Sequence, residues 1–156
     1  MNYDVWGGWS DGVGPNAPLN DTCASTAAQR QGSAVSAINA WHAAGMPRSK
    51  IVLGVPAYGH SFSVKPEDAF VQGSTSELAA YPPFDKANQP VGDKWDNAAG
   101  TEDVCGVVQG PGGTFTVWGL QEGGFLNENG DPAEGIAYRF DECSQTVCAP
   151  FSSSSL

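Results

Sequence analysis

Basic residues are scarce in this sequence. Lysine and arginine together number 7, against 17 aspartates and glutamates, so the 156-residue chain carries a formal net charge of −10. This charge repels phosphate backbones and anionic lipid headgroups, which argues against nucleic-acid and membrane partners. No apolar run approaches the roughly 18 residues of a membrane span, and the N-terminus shows no basic stretch followed by an apolar one, as a secretion signal would. The composition leaves a neutral ligand such as a glycan possible.

Closely spaced cysteine pairs of the kind that bind zinc are also absent. The four cysteines are scattered without a C-x-x-C spacing, and only two histidines could add nitrogen ligands. We therefore expect no metal and no other cofactor, and we favour disulfides, which form in oxidising, extracellular compartments. The triplet Asn20-Asp21-Thr22 is a glycosylation sequon and agrees with secretion. The cysteines are Cys23, Cys105, Cys143 and Cys148.

One β/α unit can be traced in the first third of the chain. Residues 1–5 form a short, strand-like apolar segment that runs into a glycine-rich loop. Ser33 is a suitable N-cap for a helix, and Gly45 followed by Pro47 predicts where that helix ends. Residues 51–55 form a continuous apolar run, typical of a strand buried on both faces. The apolar face of the helix consists of Val35, Ile38, Trp41 and His42.

The chain changes in character after this unit. Between about residues 61 and 141, short β-prone pieces are broken by Gly and Pro, which indicates an α+β region rather than further β/α units. Its clearest predicted turns are residues 110–113 and 129–132. The Ser-rich tail, 150–156, is expected to be frayed. The predicted core of the region consists of Phe84, Trp95, Phe115, Val117 and Trp118.

Polar and aromatic side chains follow the first apolar segment. Tyr3 and Asp4 precede Trp6 and Trp9, which places a phenol, a carboxylate and two indoles at one strand end. Saccharides are bound by such sets, with an aromatic face against the C–H surface of the sugar and a few polar groups on its hydroxyls. The alternative is that the aromatic residues belong to the core and that Asp4 is a cap.

The two apolar segments resemble neighbouring barrel strands of family 18 chitinases. Residues 1–7, Met-Asn-Tyr-Asp-Val-Trp-Gly, resemble the sixth strand of that family's (β/α)8 barrel. Residues 50–59, Lys-Ile-Val-Leu-Gly-Val-Pro-Ala-Tyr-Gly, resemble the seventh. The sequence that follows is similar to the chitinase insertion domain, with its recognisable marks at residues 105–106, 110–113 and 138–144. The likeness is closest to secreted fungal members and extends to about residue 146.

This resemblance implies an α/β fold with a partial barrel. Strands six and seven and the helix between them would occupy residues 1–60. An inserted α+β domain would occupy residues 61–142, and residues 143–156 would form a truncated return segment and tail. The chain is therefore expected to be a C-terminal fragment of an extracellular protein.

Site residues can be carried over from the resemblance one by one. Tyr3 is similar to the tyrosine that bonds the acetamido group of the substrate, and Asp4 to the neighbouring aspartate that contacts the sugar. Trp9 resembles a stacking tryptophan, and Tyr58 a tyrosine of the cleft. His60 stands where an arginine is common, so a polar contact there is in doubt, and the alternative is an exposed loop histidine.

The resemblance also implies an activity, the substrate-assisted, retaining hydrolysis of β-1,4-linked N-acetylglucosamine polymers. The general acid of the family is a glutamate that ends an Asp-x-x-Asp-x-Asp-x-Glu motif on the fourth strand, and the 156 residues contain no such motif. The acidic pairs Glu102-Asp103 and Asp141-Glu142 are instead expected to be solvated or capping charges. We therefore expect no useful turnover from this chain alone.

Three hypotheses follow for the function. The chain is part of a chitinase that holds chitin or chitooligosaccharide in its cleft, or it is a non-catalytic, lectin-like protein with the same ligand. The third possibility is a truncated product without function, which would aggregate through its exposed strand edges. For the disulfide we expect Cys105 with Cys143, while other connectivities stay open.

Overall fold

The computed structural model describes residues 1–150 of the chain. The predicted frayed tail, apart from Pro150, lies outside this described part. The helices are α1 (Ala34–Ala43), α2 (Pro66–Ala69) and α3 (Val117–Glu122), with short 3₁₀ helices at Ala27–Gln29 and Arg48–Lys50. The strands are β1 (Tyr58–His60), β2 (Thr114–Thr116), β3 (Arg139–Asp141) and β4 (Thr146–Cys148). Within residues 1–150 the longest helix, α1, has 10 residues, too few for a helix to cross a bilayer.

The strands form two separate antiparallel ribbons. In the first, β1 pairs with β2, and Tyr58 lies opposite Thr116 and His60 opposite Thr114. In the second, β3 pairs with β4. Because β1 follows the second apolar segment directly and β2 belongs to the α+β region, the first ribbon joins these two parts of the chain.

Helix α1 begins and ends as the sequence predicts. The Ser33 hydroxyl accepts a hydrogen bond from the Ser36 amide at 3.1 Å, which satisfies a donor of the first turn. The same hydroxyl donates to Asp21 Oδ1 at 2.8 Å in a buried contact. Gly45, with φ of +97°, lies just after the C-cap in the conformation that glycine adopts most easily. The predicted apolar face, however, is mostly exposed: Ile38 is half-buried, whereas 60% of Trp41 is open to solvent.

The two apolar segments lie side by side, but neither forms a regular strand in the described chain. Their backbones are joined by the hydrogen bond from the Asn2 amide to the Gly54 carbonyl, at 3.0 Å. The predicted burial of residues 51–55 is wrong for this chain, because Val52 is 91% exposed and Val55 70%. No part of residues 1–150 packs over these two side chains. A strand buried on both faces needs packing on both faces, and within residues 1–150 the side chains of Val52 and Val55 lack it.

The core of the α+β region differs from the prediction. Phe115 is buried as expected and packs edge to face against Phe125, with ring centroids 6.3 Å apart. Phe84 is half-buried against Phe62. Three predicted core residues are exposed, and none of them lies in a strand: one is in the loop before β2 and two begin helix α3. They are Trp95, Val117 and Trp118.

Of the two predicted turns, one is confirmed. At residues 129–132, Gly130 has φ of +85°, and the Asn127 side chain accepts hydrogen bonds from the amides of Asn129 and Asp131. Residues 110–113 form no regular turn and lead directly into β2, with Gly113 in the left-handed region at φ of +71°. The chain reverses earlier, where Asp103 Oδ1 accepts from the amides of Cys105 and Val107.

The predicted pairing of Cys105 with Cys143 is wrong, because Cys143 forms its disulfide with Cys23 across 120 residues. Cys105 is a free, exposed thiol at the turn just described. The Leu19 amide donates to the Ser144 carbonyl at 2.8 Å and brings the loop of Cys23 to the segment between β3 and β4. With Cα atoms 5.7 Å apart, Cys23 and Cys143 meet the usual spacing of a disulfide.

Candidate functional site

Asp4 lies at the centre of a polar cluster between the two apolar segments. Its Oδ1 atom lies 2.8 Å from the Tyr58 hydroxyl and 2.8 Å from His60 Nε2. An ionised carboxylate only accepts hydrogen bonds, so both partners donate and Nε2 carries the proton. The His60 side chain is 17% exposed and that of Asp4 43%. His60 is therefore not the exposed loop histidine of the alternative interpretation.

The backbone around Asp4 is held in an uncommon conformation. Its φ of +56° lies in the left-handed region, which Asp and Asn occupy more readily than other non-glycine residues. The Asp4 amide donates to Asn16 Oδ1 at 2.9 Å, and Asn16 Nδ2 donates to the Tyr58 carbonyl at 2.9 Å. The Val5 amide also donates to the Asn16 carbonyl, at 3.1 Å. Asn16 thus links the two halves of the cluster.

Aromatic rings surround this carboxylate. The rings of Tyr3 and Tyr58 meet edge to face with centroids 6.3 Å apart, and Tyr58 meets His60 in the same way at 5.8 Å. Trp9 lies edge to face with His60 at 6.1 Å and is 63% exposed. The four residues predicted to bind the substrate, Tyr3, Asp4, Trp9 and Tyr58, are therefore brought together, and His60 completes the group.

The protonation states in the cluster suit binding. Burial disfavours the charged form of Asp4, but the hydrogen bonds from Tyr58 and His60 outweigh it and hold the carboxyl pKa below its ordinary value of 3.8. Burial and the hydrogen bond to Asp4 raise the pKa of Tyr58 to about 12. At neutral pH the cluster therefore presents a fixed carboxylate and a neutral phenol. A general acid needs a raised carboxyl pKa, whereas the pKa of Asp4 is shifted in the opposite direction.

Two residues of the cluster were missed or left in doubt by the sequence analysis. Asn16 lies in a Gly/Pro/Asn loop without periodicity, and no local pattern marks its two long-range hydrogen bonds. His60 follows Tyr58 by two positions in a strand, and this spacing places both side chains on one face. That spacing could have identified His60 as a neighbour of Tyr58.

The other predicted positions lie elsewhere. Asn20, the predicted glycosylation site, is half-buried in the loop before Cys23, and its Oδ1 atom accepts from the amide and hydroxyl of Thr22. Of the two acidic pairs, Asp103 and Asp141 cap neighbouring backbone amides, as expected of structural charges.

Comparison with known proteins gives a consistent result. The model of the family "Glycosyl hydrolases family 18" matches residues 1–141. A protein of Moniliophthora roreri described as a "chitinase-like effector" is 64% identical over 94% of this chain and 35% of its own length. A protein of the same description from Moniliophthora perniciosa is 61% identical over 94% of this chain and 32% of its own length. The chain thus spans about a third of the length of these relatives.

Among solved structures, a chitinase from Rhizomucor miehei superimposes with a TM-score of 0.74 at 29% identity. The match covers 99% of this chain and 38% of that one. The likeness to such structures supports an α/β fold, although the described residues themselves contain only two small ribbons.

Proposed function

Since this chain belongs to glycosyl hydrolase family 18, we propose that its Asp4 cluster binds oligomers of β-1,4-linked N-acetylglucosamine, the units of chitin. The observation that supports this most directly is the meeting of Tyr3, Asp4, Trp9 and Tyr58 at one exposed position. These residues come from two segments about 50 positions apart in the sequence. A core cluster of aromatic residues would not leave Trp9 63% exposed.

Each side chain has a task in this proposal. The exposed face of Trp9 packs against the C–H surface of a sugar ring. Tyr3 contacts the acetamido group, and Asp4, held by two donors, accepts from a sugar hydroxyl with its remaining lone pairs. Tyr58 forms the wall of the cleft. A neutral polysaccharide also agrees with the net charge of −10, which would repel polyanions.

We further propose that residues 1–60 form the sixth and seventh strands of a (β/α)8 barrel with their connecting helix. The Asn2–Gly54 hydrogen bond supports their adjacency. The exposure of Val52, Val55 and Trp41 marks the surfaces that further barrel elements would cover. In this arrangement residues 61–142 are the insertion domain that follows strand seven, attached through the ribbon of β1 and β2.

Two candidate activities share this binding site. In the first, the whole protein hydrolyses chitin with retention, and this chain supplies the binding residues of the cleft. In the second, the protein binds chitooligosaccharides outside the cell without cleaving them. The lowered pKa of Asp4 and the absence of the Asp-x-x-Asp-x-Asp-x-Glu motif from these 156 residues favour binding as the activity of this chain. The Cys23–Cys143 disulfide supports an extracellular location.

Calorimetry with the N-acetylglucosamine hexamer tests the proposal. The 156-residue chain should bind this hexamer and release no shorter sugars, and it should not bind cellohexaose, which lacks the acetamido groups. The variant Asp4→Asn keeps the shape and tolerates the left-handed backbone but loses the charge. A hydrogen bond to a charged group is worth about 1.5 to 3 kcal/mol, so binding should weaken by roughly 10- to 100-fold.

The matched control is Asp11→Asn, which removes an equal charge from a fully exposed carboxylate paired with Lys86. It should bind like the unchanged chain. Absence of heat at millimolar hexamer, or equal binding of cellohexaose, would contradict the proposed function. Cleavage of the hexamer by this chain alone would contradict the assignment of a purely binding role to it.

A further inference from the structure

A concave site opens on the α+β region, outside the Asp4 cluster. It is a cavity of about 200 Å³ beside strand β2. Trp95 lies at this cavity and is 52% exposed, although the sequence predicted it in the core. The cavity is lined by Asp93, Trp95, Asp96, Asn97, Thr114 and Thr116. We refer to it below as the Trp95 cavity.

The register of the first ribbon places the Trp95 cavity on the same face as the Asp4 cluster. Residues directly opposite in an antiparallel pair point their side chains to the same side. Thr116 lies opposite Tyr58 and Thr114 opposite His60, so all four side chains share one face of the ribbon. Phe115, between the two threonines, points to the other face and is buried. The Trp95 cavity therefore lies on the same face of the ribbon as Tyr58 and His60, beside the neighbouring strand, and neighbouring strands lie about 5 Å apart.

The two carboxylates of the cavity are held in fixed positions. Asp93 Oδ2 accepts from the amide and the hydroxyl of Thr116, both at 2.6 Å. Asp96 Oδ2 accepts from the amides of Gly113, at 2.7 Å, and Gly92, at 3.2 Å. Burial opposes ionisation of Asp93, but these hydrogen bonds keep its pKa below the ordinary value, so it is charged. Among residues 1–150, neither carboxylate has a cationic side chain within salt-bridge distance.

The chemistry of the cavity favours an organic cation over a metal ion. Both carboxylates already accept hydrogen bonds, and the described chain holds no group of three or more Asp, Glu, His or Cys side chains arranged for a metal. Lys94 Nζ, which also pairs with Glu122, lies 4.3 Å from the Trp95 ring centroid and covers one face of the indole. The side chain as a whole is still 52% exposed, which leaves surface for a ligand. A sugar ring with a free amine matches an aromatic face, two carboxylates and two threonines together.

We propose that the Trp95 cavity is a sugar subsite that selects a glucosamine unit, with its free ammonium group, over an N-acetylglucosamine unit. This inference rests on the proposed function, because the rest of the oligomer is held at the Asp4 cluster. The acetylated part of a partially deacetylated chitooligosaccharide lies at Tyr3, Asp4 and Tyr58. A deacetylated unit of the same oligomer then lies against Trp95, with its ammonium group between Asp93 and Asp96.

Calorimetry at mildly acidic pH with two hexamers tests the inference. One hexamer is fully N-acetylated, and the other contains glucosamine units. The unchanged chain should bind the partially deacetylated hexamer about tenfold more tightly, since charge-assisted hydrogen bonds exceed neutral ones by about that factor. Added salt should reduce this preference. The variant Asp96→Asn keeps an oxygen for the amides of Gly92 and Gly113 but removes the charge, so it should lose most of the preference and keep its affinity for the acetylated hexamer.

A second variant and a control complete the test. Trp95→Ala should weaken binding of the partially deacetylated hexamer about tenfold, because the aromatic face is lost. Asp11→Asn lowers the net negative charge equally but lies outside the cavity, so it should keep the full preference. If the unchanged chain binds both hexamers equally, or if Asp11→Asn loses the preference as Asp96→Asn does, the inference is wrong while the proposed function stands. If the chain binds neither hexamer, the proposed function fails and the inference falls with it.

Discussion

Breaking the Cys23–Cys143 disulfide should strongly lower the free energy of unfolding of this chain. The bond joins residues separated by 120 positions in the sequence, so it removes a large closed loop from the freedom of the unfolded chain. With loop-closure entropy growing as the logarithm of loop length, the stabilisation is about 5 kcal/mol. Total stabilities of domains are about 5 to 15 kcal/mol, so the chain without this bond should be marginally folded.

Urea unfolding followed by tryptophan fluorescence measures this effect. For a urea dependence of about 2 kcal/mol per molar, Cys23→Ser should lower the midpoint by roughly 2 to 3 M. Cys143→Ser should have the same effect. The double variant should be no worse than either single one, because all three remove the same bond. Reductant should lower the urea midpoint of the unchanged chain by the same amount and leave the midpoints of the variants unchanged.

Cys105→Ser is the matched control, because Cys105 is exposed and free. Its free energy of unfolding should change by less than about 0.5 kcal/mol. Destabilisation by Cys105→Ser equal to that by Cys23→Ser would refute the reasoning. So would a non-reducing peptide map in which Cys143 is linked to Cys105.

Two further predictions concern the cap of α1 and the charge of Asp4. Ser33→Ala should lower the free energy of unfolding by about 1 to 2 kcal/mol, since both the Ser36 amide and Asp21 lose a hydrogen-bond partner. A loss below about 0.5 kcal/mol, measured by urea unfolding, would contradict this prediction. Because the folded pKa of Asp4 lies below 3.8, its contribution to stability is present above that value and is lost as the pH falls through the folded pKa. The difference in unfolding free energy between the unchanged chain and Asp4→Asn should therefore shrink below about pH 4, and a difference that grows on acidification would exclude the assigned sign.

Local patterns made the start and end of α1 predictable from the sequence. Ser33 and Gly45 act within one helical turn of their own positions, and the structure confirms both. The candidate site was predictable for a different reason, since the resemblance to a known family supplied the positions of Tyr3, Asp4, Trp9 and Tyr58. Periodicity alone left open whether these residues belonged to the core.

Features set by distant contacts escaped the sequence analysis. The partner of Cys143 depends on the Leu19–Ser144 hydrogen bond, which joins segments more than 120 residues apart. The burial of Val52 and Val55 depends on which other residues pack over them. An apolar run in the sequence does not show whether those packing residues lie within these 156 residues. Thr114 and Thr116 lie beside Trp95 because both are hydrogen-bonded to Asp93, and no local pattern marks these contacts.

The left-handed backbone at position 4 restricts which residues can replace Asp4. A β-branched or bulky residue would be disfavoured by its own backbone there, whatever the ligand requires. Glycine would relax the main chain but leave Tyr58 and His60 without their shared acceptor. Asparagine alone among the neutral residues satisfies the geometry and keeps an oxygen in place. Variation at this position in related proteins should therefore be confined largely to two amino acids, and a third would indicate that the loop around Asn16 has been rebuilt.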